Sequence, residues 1–175
     1  MNTHLKVLII NASETYGGVS AVLYNYYHYM DKSNLSFDFL SPKVNSFLIK
    51  KEEIEKNNDK LYALNIKKDG YKFYIEAYHK LKDFFSEHKY DIIHINSGLV
   101  FYNALVAYTA RKYSKARIIV HSHSAYEKQG IKKILSIIAK KIIEIEADYY
   151  LACSIEAANT MFSKKNNEKQ RIYDN

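Results

Sequence analysis

Leu5-Lys-Val-Leu-Ile-Ile10 and the segment after it, Asn11-Ala-Ser-Glu-Thr-Tyr-Gly17-Gly18-Val-Ser20, set the architecture of this protein. The first six residues form a nearly continuous apolar run, which is typical of a strand covered on both faces in a parallel sheet. The glycine pair then opens a predicted helix, whose first N–H groups and positive dipole end point into the polar loop. Open α/β sheets bind ligands at such loops. From this loop alone, a ligand site and a plain turn into a helix are equally well supported.

The composition indicates one reduced, globular domain. The chain has 175 residues, of which 47% are hydrophobic and 26% charged, so it can fill a core. Its one cysteine, Cys153, excludes an intramolecular disulfide and favours a cytoplasmic setting. No apolar run reaches the ~18 residues of a membrane span, and we recognise no signal peptide. The net charge of +7 favours phosphate-rich partners without choosing among nucleic acid, anionic lipid and nucleotide-linked substrates.

Strand and helix patterns alternate along the chain. Apolar runs and period-two patterns predict five more strands, at residues 35–40, 61–66, 90–95, 116–121 and 148–152. Apolar residues at helical spacing predict helices at about residues 18–30, 47–56, 71–88, 99–113 and 129–146. Ser154 then caps a last helix that reaches about residue 162. The alternation predicts an α/β fold with a mostly parallel, doubly wound sheet between two layers of helices.

Two of these helices carry an apolar face that we expect to pack on the sheet. In the first helix this face holds Val19, Val22, Leu23, Tyr26, Tyr27 and Met30. In the helix at residues 129–146 it holds Ile131, Ile134, Leu135, Ile138, Ile142 and Ile145. Ile137 and Ile143 fall off that second face, among lysines. They fit either a solvated face with two stray apolar residues or a surface that touches an anionic membrane.

Four loops with polar residues leave the carboxyl ends of predicted strands, at residues 11–18, 96–98, 121–124 and 153–156. In a doubly wound sheet we expect them to line one cleft. His121 and His123 are expected on opposite sides of their strand, so that one of them faces the cleft. A histidine satisfied by neighbouring backbone is the alternative for either residue. No third ligand accompanies this pair, so we predict no metal site.

Two further residues have simple interpretations. We interpret Cys153 as a small packed thiol, because no catalytic signature surrounds it. Glu156, in the first turn of the last helix, is more simply explained by compensation of the helix dipole than by a ligand role. Neither a P-loop nor a dinucleotide-binding Gly-x-Gly-x-x-Gly motif after the first strand occurs. A P-loop kinase is thereby excluded, and a dinucleotide-dependent oxidoreductase is disfavoured.

Four motifs occur together in this chain: the Gly17-Gly18 pair, Tyr90-Asp-Ile-Ile-His-Ile-Asn96-Ser97, Ile118-Ile-Val-His-Ser-His123 and Ala147-Asp-Tyr-Tyr-Leu-Ala-Cys-Ser154-Ile-Glu156. None of them is specific alone. In this order and spacing, over nearly the whole chain, they resemble the N-terminal half of a GT-B-type, retaining glycosyltransferase of family 4. The resemblance is to bacterial enzymes of capsule and exopolysaccharide assembly, which act in cell-surface polysaccharide synthesis.

The resemblance implies two Rossmann-like domains, of which the N-terminal one binds the acceptor and the C-terminal one holds most of the nucleotide-sugar donor. It implies transfer with retention of configuration and without a metal cofactor. By the same analogy His123 is the catalytic histidine, which contacts the donor sugar, and His121 packs into the sheet. The glycines would approach the donor phosphates, and the other residues would touch acceptor or sugar or lie at the cleft edge. The implied substrate-binding residues are Gly17, Gly18, Asn96, Ser97, Ser154 and Glu156.

On this basis we predict a Rossmann-like glycosyltransferase domain at residues 1–164. A polar tail at residues 165–175 is expected to lead to a C-terminal donor-binding domain, either joined to this chain or supplied as a separate subunit. The acceptor is expected to be a saccharide or a lipid-linked acceptor. The isolated chain is expected to have little or no transferase activity. The expected location is cytoplasmic, with the anionic inner face of the membrane as a candidate peripheral partner.

Two alternatives stay open at this point. The chain could be a non-catalytic module that docks on a membrane or activates a separate glycosyltransferase subunit. It could also be a nucleic-acid-binding α/β domain, which the net charge alone suggests. The second alternative is disfavoured, because the lysines are dispersed along helices and no nucleic-acid-binding module is recognised. We therefore expect no nucleic-acid partner.

Overall fold

The computed structural model of the protein describes residues 4–123, 131–162 and 170–172. Strands and helices alternate through these residues. The strands are β1 (Leu5–Asn11), β2 (Leu35–Ser41), β3 (Lys60–Ala63), β4 (Ile92–Asn96), β5 (Arg117–Ser122), β6 (Tyr149–Ala152) and β7 (Gln170–Ile172). The helices are α1 (Gly18–Tyr29), α2 (Lys51–Lys56), α3 (Gly70–Glu87), α4 (Val100–Tyr113), α5 (Ile131–Glu146) and α6 (Ile155–Met161), and a 3-10 helix (Ser46–Lys50) precedes α2.

The described strands form one sheet in the order β3-β2-β1-β4-β5-β6-β7, and every neighbouring pair is parallel. This arrangement confirms the predicted doubly wound, Rossmann-like sheet. The strand order changes direction between β1 and β4, which are hydrogen-bonded neighbours with Asn11 opposite Asn96. A crevice opens at such a switch point, because the two connections leave toward opposite faces of the sheet.

Alternate residues of β1 belong to two hydrophobic clusters. Leu8 and Ile10 are fully buried in a cluster that contains residues of α3 and α4. Val7 and Ile9 pack in a second cluster, which contains Leu23 of α1. Because side chains alternate along a strand, the two clusters lie on opposite faces of the sheet. This confirms the three-layer arrangement, in which helices cover the central strand on both sides.

A buried carboxylate holds the strands together. The side chain of Asp38 on β2 accepts hydrogen bonds from the Tyr90 hydroxyl at 2.8 Å and the Lys60 backbone N–H at 2.9 Å. It also forms an ion pair with Lys6 of β1, at 2.9 Å. Asp38 is 2% exposed, so its charge depends on these partners for stabilisation. The carboxylate thereby joins β1, β2, β3 and the segment before β4.

The buried face of α1 is rotated from the predicted one. Leu23 and Tyr27 are buried as expected, but Tyr26 and Met30 are exposed and Tyr24 is buried instead. The hydroxyl of Tyr24 donates to Glu53, and that of Tyr27 donates to Asp59 at 2.8 Å. These hydrogen bonds allow both phenols to be buried, so the helix turns its tyrosine-rich side inward.

The predicted core face of α5 is wrong at most of its described positions. Ile142 does pack against the core, and the side chain of Ile131 lies outside the described residues. Ile134, Leu135, Ile138 and Ile145 are exposed, and Ile143, predicted off that face, is fully buried. Among residues 134–146 the buried side chains are mostly small, and they are Ser136, Ala139 and Ile143. Small side chains let α5 lie close to α4, its main helical neighbour, while its large apolar residues remain outside. In the described parts of the chain, no helix, α5 included, is long and apolar enough to cross a bilayer.

The other predicted elements are found within a few residues of their expected bounds. β3 ends at Ala63 instead of residue 66. Asn65 has a positive φ of 52°, which interrupts the extended backbone there. Ser124, residues 129–130 of the predicted fifth helix and residues 165–169 and 173–175 of the predicted tail lie outside the described residues. Within that tail, residues 170–172 pair with β6 as β7.

Replacing Asp38 with alanine should destabilise the fold by roughly 3 kcal/mol, because Tyr90 and Lys60 lose a buried acceptor and Lys6 loses its counter-charge. Urea denaturation at pH 7 measures this free energy of unfolding. Asp83→Ala, at an exposed position of α3, is the matched control and should change it by less than about 0.5 kcal/mol. Equal effects of the two variants would show that Asp38 does not join the strands.

Candidate functional site

The carboxyl ends of β1 and β4 border a cleft of about 500 Å³. The loop after β1 lines one side of it, and the loop after β4 lines the other. The lining residues are Asn11, Ala12, Ser13, Gly17, Gly18, Val19, Asn96, Ser97, Gly98 and Leu99. Four of the predicted site residues, Gly17, Gly18, Asn96 and Ser97, are therefore brought together, as expected for loops at the switch point of the sheet.

The glycine pair leaves part of this cleft without side chains. A Cβ atom added to Gly17 or Gly18 would meet no protein atom within 4 Å. Gly17 has a φ of −114° and a ψ of −165°, an extended conformation that any residue can adopt. Neither backbone conformation nor packing therefore requires glycine at these positions. Because neither glycine has a side chain, the space beside the start of α1 is open.

The positive end of α1 is open toward this space. Its N-cap, Gly17, makes no side-chain capping bond, and its first turn contains no acidic residue. The start of α6 is different, because the Ser154 hydroxyl accepts a hydrogen bond from Ala157 N–H at 3.1 Å and Glu156 lies in its first turn. The first N–H groups of α1 and its dipole thus remain available to an anion.

A buried polar network fixes the loop after β1, and the sequence analysis missed it. The Asn11 side chain is buried and donates to the hydroxyls of Ser20 at 2.9 Å and Ser46 at 3.3 Å. Its carbonyl oxygen accepts from Ser13 N–H at 3.1 Å. These bonds join the strand end, the loop and the first turn of α1. The position of Asn11 at a strand end was the available signal, but its partners could not be read from the sequence.

His123 is held by Asn96 in one tautomer. The Asn96 amide nitrogen donates to the His94 carbonyl at 3.1 Å, so its Oδ1 is turned toward His123 Nε2, also at 3.1 Å. Because Oδ1 can only accept, we assign the proton of the neutral ring to Nε2, and Nδ1 carries the lone pair. Burial lowers the pKa of His123 to about 4, so the ring is neutral at pH 7.

His123 belongs to a group of three neighbouring imidazoles, in which its ring is tilted by 36° against that of His121. The rings of His94 and His121 are parallel with centroids 5.5 Å apart, and those of His121 and His123 are 3.9 Å apart. The expectation that His121 and His123 point to opposite sides is wrong, since residues two apart in a strand share a face. Burial and then the neighbouring histidines lower the pKa of His94 to about 4 and of His121 to about 3.

The remaining candidates have mainly structural contacts. Ser97 holds its loop onto α4, because its hydroxyl accepts from Leu99 N–H at 3.0 Å and its carbonyl accepts from the Asn103 side chain at 2.8 Å. Ser154 caps α6, and hydrogen bonds from the backbone of Glu156 itself and from Ser154 lower the pKa of the Glu156 carboxyl. Ser97 lines the cleft, whereas Ser154 and Glu156 do not. A binding role for Ser154 and Glu156 therefore stays a prediction.

Neither Cys153 nor a cluster of metal ligands adds chemistry to the described part of the site. Cys153 is half-buried and packs against the core, in agreement with its interpretation as a packed thiol. Across residues 4–123, 131–162 and 170–172, no three histidine, cysteine or carboxylate side chains are placed to hold a metal ion. The cleft itself offers the backbone N–H groups at the start of α1 and the polar residues Ser13 and Ser97. His123 is not among the residues that line it, and contacts it through Asn96, whose Oδ1 lies 3.1 Å from the ring.

Residues 16–173 match the family model described as Glycosyltransferase Family 4. The Bacillus subtilis (strain 168) protein named "Putative glycosyltransferase EpsF" is 22% identical over 178 residues, which cover 99% of this chain and 45% of that protein. The chain thus spans about half the length of this curated relative. The family match extends over most of the chain and includes the Gly17-Gly18 pair and the loop after β4.

Solved structures share the fold. The lipopolysaccharide outer core galactosyltransferase WaaB is 18% identical, with a TM-score of 0.65. The alignment covers 97% of this chain and 46% of the WaaB chain. A UDP-N-acetylglucosamine 2-epimerase is 13% identical with a TM-score of 0.68, with 97% of this chain and 48% of its own covered. Anabaena Alr3699/HepE, solved with UDP and glucose, is 14% identical with a TM-score of 0.63, with 98% and 45% covered. The fold is common to a transferase and an epimerase, so it does not decide between their activities.

The three histidines should make the protein unstable in mild acid. Their pKa values lie below the 6.5 of a free histidine, so as the pH falls the unfolded chain takes up protons first. Stability should therefore be lost between about pH 6.5 and pH 4, by on the order of 3–5 kcal/mol from pH 7.5 to pH 5. Urea denaturation across this range measures the loss.

Two variants separate this effect from general acid denaturation. His121→Leu removes one of the three buried rings, so the dependence of unfolding free energy on pH should become shallower by about a third. His79→Gln, on the exposed side of α3, is the control and should leave the dependence unchanged. A parent protein that is equally stable at pH 7.5 and pH 5 would contradict the assignment of neutral, buried rings.

Proposed function

The chain belongs to glycosyltransferase family 4, and we propose that it forms the acceptor-side half of a retaining enzyme. That enzyme would transfer a sugar from a nucleotide-sugar donor to a saccharide or lipid-linked acceptor in cell-surface polysaccharide synthesis. The observation that carries the proposal is the cleft between β1 and β4, where the open start of α1 faces Asn96 and Ser97. The names of WaaB and of HepE bound to UDP and glucose agree with this chemistry.

The start of α1 suits the leaving group of this reaction. Transfer breaks the bond between the anomeric carbon and the phosphate, and negative charge develops on the departing phosphate. The acceptor oxygen forms the new bond on the face that the phosphate leaves, and its proton passes to the phosphate. The N–H groups and dipole at Gly17 and Gly18 would stabilise the developing charge, and the missing side chains leave room for it.

His123 would position the donor sugar. Asn96 fixes its ring in one tautomer, and its low pKa keeps it neutral during the reaction. A neutral ring with Nδ1 as acceptor can receive a hydrogen bond from a sugar hydroxyl, whereas an imidazolium could not. The ring is therefore proposed as a catalytic residue that orients the sugar for attack. The proposed mechanism involves no metal ion.

The donor nucleotide is proposed to be held largely by a second half of the enzyme, on the same chain or on a separate subunit. This chain spans about half the length of the relatives it matches. The cleft places two glycines beside the helix start, and among the residues that the structure describes no lysine or arginine lines it. The basic groups that a diphosphate requires would come from the other half. The isolated chain would then show little or no turnover.

A second candidate function is docking on an anionic membrane at the cytoplasmic face, with or without catalysis by this chain. The observation that favours it is the outer surface of α5, where Ile134, Ile137 and Ile145 are each more than 60% exposed. Lys141 is exposed on the same helix. Exposed isoleucine beside lysine is the composition of helices that lie on lipid surfaces.

The proposed reaction can be tested with a panel of nucleotide sugars and a membrane extract as acceptor. We expect transfer only when this chain is extended by, or mixed with, a donor-binding half. His123→Ala should then lower the rate by about 10²-fold, the usual effect of losing one preorganised polar contact. His79→Ala is the control and should retain activity. Robust turnover by the isolated chain would overturn the division into halves, and inactivity of every combination would favour the membrane-docking function.

A glycine substitution tests donor binding in the cleft without a loss of folding stability. Gly18→Ala should leave stability unchanged or raise it by about 0.5–1 kcal/mol, because its Cβ meets no protein atom and alanine favours the helix. The same methyl group would occupy the space proposed for the donor, so the KM for the nucleotide sugar should rise. Asn25→Ala, exposed in the middle of α1, is the control that should leave the KM unchanged. An unchanged KM in Gly18→Ala would contradict donor contact at this position.

A further inference from the structure

The outer side of α5 carries a line of exposed isoleucines. Ile134, Ile138 and Ile145 are 64%, 58% and 66% exposed, and the side chain of Lys141, between the last two, is 70% exposed. These four residues, which we call the α5 seam, follow one another at intervals of four, three and four positions. At about 3.6 residues per turn they fall in one narrow stripe, on the side of the helix opposite its buried residues.

The spacing of the α5 seam is typical of a helix that packs on another helix. Apolar residues alternately three and four positions apart occupy the a and d positions of a coiled coil, where each side chain inserts between side chains of the partner. A helix that lies on lipid has a different pattern, because its lysines lie on the polar face. Lys141 lies inside the apolar stripe instead. The pattern therefore favours a partner helix over a lipid surface.

The α5 seam is complementary to a second copy of itself. Its spacing is the same in both directions, so two antiparallel copies related by a twofold axis match in every layer. Ile134 then meets the partner's Ile145, and Ile138 meets the partner's Lys141. In a parallel pair each residue would meet its own copy, and the two Lys141 ammonium groups would face each other. Because like charges repel, Lys141 disfavours the parallel pair and selects the antiparallel one.

We infer that α5 is a self-association surface, and that two copies of this chain form a symmetric dimer through antiparallel α5 helices. The flank of the seam supports this occupant. Leu135 and Ile142 line an apolar groove of about 380 Å³ between α3, α4 and α5. In the antiparallel pair Leu135 lies beside the partner's Ile142, so the second copy covers the α5 side of the groove. The inference goes beyond the proposed function and does not depend on it.

Sedimentation equilibrium of the chain at about 5 to 500 µM tests the dimer. Four layers make a short interface, so association is expected to be weak and to depend on concentration. Ile134→Gln with Ile145→Gln changes two of the four layers on each copy, and should weaken association at least about tenfold. Ile75→Gln with Ile155→Gln is the matched control, because these residues are 54% and 61% exposed on α3 and α6. The control should leave association unchanged, and circular dichroism checks that both variants are folded.

Opposite charges at one position test the antiparallel orientation. Ile138→Lys places a second ammonium group against the partner's Lys141, so it should weaken the dimer at least about tenfold. Ile138→Glu places a carboxylate there, and should weaken it much less. In a parallel pair either substitution would set like charges against each other. Equal losses from the two variants would therefore overturn the antiparallel pair.

Salt and lipid distinguish a second copy from a membrane. Each chain carries a net charge of +7, so added salt should strengthen the dimer, whereas it should weaken binding to vesicles that contain anionic phospholipid. A chain that stays monomeric at every concentration would overturn the inference, and loss of vesicle binding in the seam variant would then assign α5 to the membrane. A dimer that the seam variant does not weaken would place the contact elsewhere and would also overturn it. None of these readouts requires sugar transfer, so failure of the dimer and failure of the proposed reaction are distinguishable.

Discussion

The parallel pairing of β1 with a strand on each side, β2 and β4, is the constraint on which the rest of the structure depends. The connections that follow β1 and β4 are right-handed, and the order of the strands places them on opposite faces of the sheet. The loops that leave these two strands therefore diverge. The gap between them is the cleft. In the middle of β2, Asp38 joins this strand to Lys6 of β1, Lys60 of β3 and Tyr90 before β4. The stabilising carboxylate therefore lies in the middle of the sheet, and the cleft lies at the carboxyl ends of the same strands.

The electrostatics of the cleft arise from what surrounds it. The start of α1 has no acidic side chain to neutralise its dipole, and the three neighbouring histidines remain uncharged because burial lowers their pKa values. Asn11 and Asn96 supply fixed amide groups at the two strand ends. In the proposed function, an anion would be held at the start of α1 by backbone dipoles. Such groups are already oriented and need little reorganisation when charge develops.

Features that depend on a single strand or loop could be predicted from the sequence. The alternation of apolar patterns indicated the parallel sheet, and a parallel sheet brings Gly17, Gly18, Asn96 and Ser97 to one edge. Features that depend on packing could not. The partners of Asn11, at Ser20 and Ser46, are 9 and 35 residues away, and no local pattern connects them. Helical spacing identified an apolar face on α5 but not its direction, which the small size of Ala139 and Ser136 decides.

The small inward face of α5 also affects how proteins with this fold can diverge. The attachment of the helix depends on Ser136, Ala139 and Ile143, while Leu135 and Ile138 already contact solvent. Substitutions at the outer positions cost little folding free energy, since exposed side chains have little burial to lose. Duplicated genes could therefore acquire different outer residues on this helix, and with them different partners, while selection preserves the same three inward positions and the same scaffold.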